Sequence, residues 1–516
     1  MAELTIWRGR ESRTVETESG ALLSDVLNLH HQELEMPCGG QGRCKKCRVR
    51  AEGCLSPATP AEVKALGQAQ LDQGYRLACC TKIQGNAAVW MTEESRAVNR
   101  ILVDGIDPEV IPDPFFRTLG AAVDIGTTTL AARLYDRDGL IATATAPNPQ
   151  RTFGADVISR IESALAGKGP ELASCVREAI GTLLQTMADR AGHRSEEIDF
   201  VVITGNTAML YLLTETDVRP LSAAPFEIHE QFGRTVRADS LGLPVAADAQ
   251  VYLTRCISAF VGGDITTALL ASQMCRQTET TLLADIGTNG EIVLWHQGVL
   301  RCCSTAAGPA FEGANIQHGM QGAPGAIDHA SPEHGGLQLH TIGEVPAVGI
   351  CGSGVVDVLA GLLTLGTVDE TGLLDGGAEA YALAGEVAFT QEDIRQVQLA
   401  KSAVCAGMET LLAHSGVTAA EVARLDVAGG FGSYLDLQNA GVIGLIPRAL
   451  VPRARVLGNA ALSGAAMILR SCSLAGESEA LADAAQTVDL SADPIFSERY
   501  IENMLFDPAC LETAHQ

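Results

Sequence analysis

The sequence predicts a small α+β module at the N-terminus joined to a larger two-lobed α/β body, and three observations carry that expectation. Six of the 15 cysteines crowd into the first 80 of 516 residues. A proline-spiced stretch, DGIDPEVIPDPFF at 104–116, then separates that region from a chain richer in Gly, Ala and Leu. In the second region an apolar run ending in Asp-Ile-Gly-Thr occurs twice, at 124–127 and at 285–288. A repeated half of this kind predicts two similar lobes.

Composition narrows the function classes. The length exceeds one ordinary core, and 47% hydrophobic against 19% charged residues excludes global disorder. Lys and Arg number 36 against 62 Asp and Glu, a formal net charge of −26. So acidic a chain repels phosphate backbones, and nucleic acid is not expected as a partner. The opening MAELTIWRGRESRTVE has no apolar signal-like run, and no later stretch offers 18 uninterrupted apolar residues. Neither a secretory signal nor a membrane span is expected, which leaves the cytoplasm as the expected compartment.

The first module spans 1–95. LTIW (4–7) and RTVETE (13–18) read as short strands, and ALLSDVLNLH (21–30) places Leu22, Leu23, Val26 and Leu27 on one helical face. PCGGQGRCKKC (37–47) then spaces Cys38, Cys44 and Cys47 as C-x5-C-x2-C. After a strand, a helix start at Thr59-Pro60 and another strand, YRLACC (75–80) brings in Cys79 and Cys80. Three thiolates on one glycine-rich loop plus one from a distant strand is the way a ferredoxin grips a [2Fe–2S] cluster. Gly39, Gly40 and Gly42 would let backbone N–H groups turn towards the sulfides. The x5 spacing is wider than that of plant-type ferredoxins and resembles the adrenodoxin-type variant. Cys79 is the expected fourth ligand because RLAC resembles the end of the motif in such modules. Strand alternation would then turn Cys80 to the opposite face. Cys54 and Cys80 stay open as alternatives for the fourth position. A structural zinc site also takes four cysteines, but it usually pairs two short C-x2-C knuckles, and here there is one. The remaining nine cysteines are scattered and expected to be mostly buried small residues.

Residues 96–118 read as a linker and 119–516 as the body. GAAVDIGTTTLAARLYD (120–136) and LLADIGTNGEIVLWHQG (282–298) each read strand, tight turn, strand. Such a pair of hairpins facing a cleft suits a nucleoside triphosphate. Gly126, Gly287 and Gly290 let backbone amides approach phosphate oxygens, and Thr127, Thr128, Thr288 and Asn289 add side-chain donors. Asp124 and Asp285 would repel phosphates and make sense as holders of a hydrated Mg²⁺. In LDVAGGFGSYLD (425–436), Gly429, Gly430 and Gly432 leave room for a flat adenine and its ribose. GICGSGVVDVL (349–359) has the same strand–turn–helix shape and either lines the cleft or packs. No Walker G-x4-G-K-[ST] motif offers a rival nucleotide site. Glu291 and Glu312 are the carboxylates considered for orienting water, with Glu312 taken together with Asp124 and Asp285 as the catalytic set. Asn206, in TGNT, is a candidate phosphate contact. His30, His31, His329, His334 and His340 read as surface or core residues rather than ligands.

The order and spacing of these motifs resemble the superfamily of actin, heat-shock ATPases and acetate or sugar kinases (ASKHA). Joined to an N-terminal [2Fe–2S] ferredoxin (β-grasp) module, the chain resembles the reductive activators of corrinoid-dependent enzymes. The resemblance runs along nearly the whole chain. It is carried by PCGGQGRCKKC, DIGTTT, APNPQRTFGADVISRI (146–161), ITGNTAM (203–209), FVGGD (260–264), DIGTNGE, CSTAAGPAFEGANI (303–316), GICGSG, QLAKSAVCAG (398–407) and AGGFGSYLDLQNAGVIGLIP (428–447).

The resemblance implies an ATP-hydrolysing reductase that passes one low-potential electron to the corrinoid protein of a methyltransferase system. Inactive Co(II) would become Co(I), ready for methyl transfer. It also implies an upstream low-potential reductase or ferredoxin and a homodimer through the ATPase lobes. Two points qualify the match. Longer members carry a further small domain between ferredoxin and ATPase, whereas only about 23 linker residues stand here. Members with [4Fe–4S] clusters carry a C-terminal cysteine array, while Cys510 stands alone.

Three other readings remain at this level. An ATP-dependent donor to another low-potential enzyme is one, although the activators of 2-hydroxyacyl-CoA dehydratases hold their cluster inside the ATPase fold. A small-molecule kinase with a regulatory ferredoxin is the second, and a non-enzymatic redox switch is the third.

Overall fold

The computed structural model describes residues 2–8, 11–29, 42, 47–91, 105–333, 335–430 and 435–507. Two compact units divide the chain: residues 1–98 with the short segment 149–155, and residues 99–148 with 156–516.

In the first unit, β1 (Ala2–Arg8) and β2 (Glu11–Thr17) form a hairpin, followed by α1 (Leu23–Leu29). Then come β3 (Arg48–Leu55), α2 (Pro60–Asp72), β4 (Tyr75–Leu77) and β5 (Ile83–Trp90). The strands assemble in the order β2-β1-β5-β3-β4, with β1 and β5 parallel and the other neighbours antiparallel. Strand alternation sends Leu4, Ile6, Val49, Ala51 and Val89 to one face, where Leu23, Val26 and Leu27 of α1 and Leu66 of α2 close the core. Helix α2 starts where Thr59 caps it. Pro60 occupies the first turn, and Glu62 completes a capping box with Thr59.

The second unit opens with residues 105–116 laid along the body: the Ile106 amide donates to the Leu457 carbonyl and the Phe115 amide to that of Leu469. Phe116 is fully buried. Strands β6 (Leu119–Ile125), β7 (Thr129–Tyr135) and β8 (Leu140–Pro147) make an antiparallel meander. After α3 (Val157–Ser163) and α4 (Gly169–Arg190), β9 (Ile198–Gly205) pairs parallel to β6. Then α5 (Thr207–Thr214), β10 (Arg234–Arg237) and β11 (Gln250–Leu253) complete a sheet in the order β10-β11-β9-β6-β7-β8. Helix α6 (Gly263–Ser272) leads to the second lobe.

There the meander returns as β12 (Thr281–Ile286), β13 (Gly290–His296) and β14 (Val299–Thr305). A side sheet of β15 (Ala326–Glu333), β16 (Gly336–Thr341) and β17 (Gly349–Ile350) precedes α7 (Gly352–Thr364). The hairpin β18 (Ala380–Ala384) and β19 (Val387–Thr390) leads into α8 (Gln391–His414). Next come β20 (Arg424–Ala428), α9 (Leu437–Val442), β21 (Ala454–Gly458) and α10 (Ala460–Arg470). Among the described residues the last elements are α11 (Ser473–Ala484), β22 (Gln486–Thr487) and α12 (Pro494–Glu502). The second sheet runs β21-β20-β12-β13-β14-β22.

Each lobe is therefore a three-strand meander whose first strand has two further strands beside it. Strand β6 has β9 and β11, and β12 has β20 and β21, all in parallel contact. Buried on both faces, β6 and β12 read as apolar runs rather than alternating ones. Ala122 and Val202 of the first sheet share a core with Leu283 and Val293 of the second and with helices α6 and α10. No helix among the described residues is long and apolar enough to cross a membrane.

Candidate functional site

In the first unit the Sγ atoms of Cys47 and Cys79 lie 3.2 Å apart, and both are buried. Cys79 sits just past β4, on a turn in which the Cys80 and Thr81 amides both donate to the Leu77 carbonyl. The expectation that Cys80 faces the opposite side is corrected here. The strand has ended at Leu77, alternation no longer applies, and Cys80 Sγ lies 3.7 Å from Cys79 Sγ. A Cβ on Gly42, whose φ is +71°, would come within 2.6 Å of Cys80 Sγ, so this loop position needs glycine. Cys54 lies exposed on β3. Cys38, Cys44, Gly39 and Gly40 lie outside the described residues.

One carboxylate organises that turn. Glu62, wholly buried, accepts from the Thr59 amide (2.8 Å), Arg76 Nε (2.9 Å), the Leu77 amide (3.2 Å) and Thr81 Oγ1 (3.0 Å). Burial pushes its pKa up, but the Arg76 guanidinium and the backbone donors outweigh that and hold it below the ordinary value. Two buried soft donors converging on a pinned turn fit a thiolate-bound iron–sulfur group.

In the second unit both Asp-Ile-Gly-Thr turns open on one cleft of about 300 Å³. Its lining includes Asp124, Gly126, Thr127, Thr128 and Asn206 from the first lobe, and Asp285, Gly287, Thr288, Asn289 and Glu312 from the second. Gly290 begins β13 beside this lining. The carbonyls of the first turn are all held from behind. Asn148 Nδ2 donates to the Gly126 carbonyl (2.8 Å), the Asn148 amide to that of Thr128 (2.8 Å), and Arg160 Nη2 to that of Thr127 (2.6 Å). With its oxygens taken and the Gly126 amide donating to the Thr129 carbonyl (2.8 Å), the turn keeps the Thr127 and Thr128 N–H groups for an anion. Glu312 spans the two turns: Thr128 Oγ1 donates to one carboxylate oxygen at 2.6 Å and Thr288 Oγ1 to the other at 2.7 Å.

The cleft floor is acidic. Burial pushes Asp124 up to about 6, with Asn459 Nδ2, 2.9 Å away, opposing the shift. Burial and the neighbouring Asp124 push Asp285 up to about 7. Glu291 is raised well above its ordinary value by burial and by the charges of Asp264 and Asp285. Asn206 Nδ2 lies 3.4 Å from Glu291 Oε1. Asp264, at the start of α6, is pushed up to about 8 by burial and by Asp285 and Asp124. Four carboxylates that cannot all ionise together call for a cation. Among the described residues no trio of His, Cys, Asp or Glu closes tightly enough to hold a metal ion by itself. Mg²⁺ keeps most of its waters and takes one or two carboxylates, which this floor offers.

Gly429 and Gly430 line the same cleft. A Cβ on Gly429, at φ +97°, would lie 2.6 Å from Asp285 Oδ1. Gly432 lies outside the described residues. The GICGSG turn lines the cleft through Cys351, Gly352 and Ser353. His329 and His340 are half-exposed and bound to Asp357 (2.9 Å) and Asp328 (2.6 Å); His30, His31 and His334 lie outside the described residues. Sequence reasoning missed Asp264 and Asn459. FVGGD carried the first without assigning it a role, and the second had no signal beyond a helix-capping position.

Comparison with known proteins bears on this geometry. Residues 7–84 match a 2Fe-2S iron-sulfur cluster binding domain, residues 119–277 the RACo middle region, and residues 279–515 the C-terminal ASKHA domain of RACo. The corrinoid activation enzyme RamQ of Eubacterium limosum is 33% identical over 95% of this chain and 97% of its own. The [Co(II) methylated amine-specific corrinoid protein] reductase of Methanosarcina barkeri is 26% identical over 64% of this chain and 66% of its own. Among solved structures, a reductive activator for a corrinoid, iron-sulfur protein superposes with a TM-score of 0.70 at 26% identity, covering 99% of this chain and all of that one. The cluster-binding and ASKHA domains bring a [2Fe–2S] cluster and ATP as cofactors. With its domains matched in order and a relative one-third identical from end to end, the chain belongs to the RACo family of corrinoid activators.

Proposed function

We infer that this protein is an ATP-dependent reductase that restores Co(II) corrinoid protein to Co(I). The observation that carries the reading is the union, in one chain, of a buried thiol pair on a ferredoxin sheet with a two-hairpin cleft over an acidic floor. Cys38, Cys44, Cys47 and Cys79 hold the cluster. Asp124 and Asp285 position Mg²⁺, and the turns at Gly126, Thr127, Thr128, Gly287, Thr288, Asn289 and Gly290 take the phosphates, with Asn206 beside them. Gly429, Gly430 and Gly432 take the adenosine, and Glu312 orients the attacking water. The domain limits in this reading are 1–95, 96–118 and 119–516.

Energetics explain why ATP is needed. A plant-type cluster sits near roughly −400 mV, and Co(I) demands a lower potential. A nucleotide that biases a two-state equilibrium by about 5.5 kcal/mol offsets roughly 230 mV for one electron. The corrinoid protein of a methyltransferase system is the partner, a low-potential reductase or ferredoxin supplies the electron, and the protein works in the cytoplasm as a homodimer.

The test is anaerobic. Reconstituted protein, a reductant, Co(II) corrinoid protein and Mg-ATP are mixed while the sharp Co(I) absorption band is followed. The band is expected only with ATP, and not from Cys44→Ser. Equal turnover without ATP would refute the nucleotide's role.

A further inference from the structure

We propose that the outer face of the ferredoxin sheet, built on Trp7, Trp90 and Arg50, is the docking surface for an acidic protein electron donor. The inference rests on the reading that the first unit relays an electron; it adds the place and the chemistry of the donor.

The chain contains only three tryptophans. Two of them avoid the core of the first unit, whose β1 and β5 contributions are Leu4, Ile6, Ala87 and Val89. Trp7 and Trp90 alternate to the other face, stand opposite each other in the parallel pair β1–β5, and stack with ring centroids 6.4 Å apart and planes 6° from parallel. The row continues across the sheet: Arg50 pairs with Trp90 on one side and with Tyr75 on the other, and its guanidinium lies 5.6 Å from the Trp90 ring centroid. Arg48 sits 5.1 Å over Tyr75. Trp, Tyr and Arg are the residue types that dominate binding hot spots. Arg50 also meets Glu52 at 2.8 Å, but both are about half exposed, and such a pair is easily exchanged for a partner's carboxylate.

Charge selects the occupant. Residues 1–91 hold 11 of the 36 Lys and Arg but only 10 of the 62 Asp and Glu, which leaves 25 against 52 for the rest. An acidic partner is therefore repelled by most of the chain and steered to this unit. Between Met36 and Ala51 the sequence has Arg43, Lys45, Lys46, Arg48 and Arg50 and no acid. Arg50 also lies three residues beyond Cys47, about 10 Å along the strand, so a donor seated on the row is within electron-transfer reach of the cluster site. The donor is oxidised and the cluster reduced by that one electron, with no bond made or broken.

The experiment uses the reconstituted full chain and an acidic plant-type [2Fe–2S] ferredoxin as probe. Binding is measured by calorimetry at two salt concentrations, and cluster reduction by the ferredoxin is compared with reduction by titanium(III) citrate. Trp7→Ala, Trp90→Ala and Arg50→Glu are each expected to weaken ferredoxin binding about tenfold or more, with Arg50→Glu also lowering its salt dependence. Reduction by titanium(III) citrate and the cluster spectrum should stay as in the parent. Trp7→Phe and Trp90→Phe, with smaller losses, serve if an Ala variant fails to fold. No binding by the parent, unchanged binding by the variants, or a loss confined to the corrinoid protein would each overturn the proposal. A protein that binds ferredoxin as expected yet never forms Co(I) would instead defeat the reading on which it rests.

Discussion

The two nucleotide turns share four residues of sequence and the same strand–turn–strand frame, yet they are supported in different ways. The first is hydrogen-bonded from behind: Asn148 and Arg160 occupy the carbonyls of Gly126, Thr127 and Thr128. The second is packed: Val404 of α8 and Thr305 of β14 lie close against Gly290. The two turns present the same Asp, Gly and Thr to the cleft, while each lobe holds its turn still in its own way. A polar brace depends on a few groups, whereas apolar packing spreads the load over many contacts.

The largest effect should come from the element the turns have in common. Asp285→Asn and Asp124→Asn are each expected to lower Mg-ATP hydrolysis by about 10²-fold or more, because a metal ligand contributes several kcal/mol at the transition state. Unequal losses would show that one lobe carries the metal. Next, Arg160→Ala removes the brace and should lower kcat/KM for ATP by about 10- to 100-fold, since small misplacements of a binding turn are costly. Arg160→Lys should recover part of it, and a variant as active as the parent would mean that the first turn holds itself. Glu312→Gln tests the link between the turns. Hydrolysis should fall about 10²-fold with nucleotide affinity kept; higher affinity with hydrolysis intact would make Glu312 a clasp and nothing more.

The smallest effect is a pH dependence. The cleft carboxylates are raised in the folded state, so they keep protons that the unfolded chain has lost. Their contribution is full below about pH 4 and is lost as pH rises through about 6 to 8. The melting temperature of the nucleotide-free body should therefore fall by a few degrees from pH 5 to pH 8, and Mg-ATP should flatten the slope. A melting curve that rises over that range contradicts the acidic floor.

Much of this was legible in the sequence, for identifiable reasons. The turns announce themselves because glycine and threonine after an apolar run ending in Asp have few other uses, and their repetition reported the two lobes. The cysteine spacing reported the cluster module. What stayed hidden depends on distance along the chain. Asn459 reaches Asp124 across 335 residues, and Asp264 joins the acidic floor only because α6 begins there. Cys80 was misread because the point where β4 stops is set by hydrogen bonds to the Leu77 carbonyl. No alternation pattern reports that.

Glu62 holds the Cys79 turn with a charge, and that ties the turn to acidity. Its depressed pKa means that its contribution is present above the ordinary carboxylate range and drains away as acid protonates it. The nucleotide cleft behaves in the opposite sense and relaxes as the medium becomes more acidic. Glu62 is protonated only below the ordinary carboxylate range, by which point the cleft carboxylates have already regained their protons, so strong acid would take the cluster unit before the nucleotide unit.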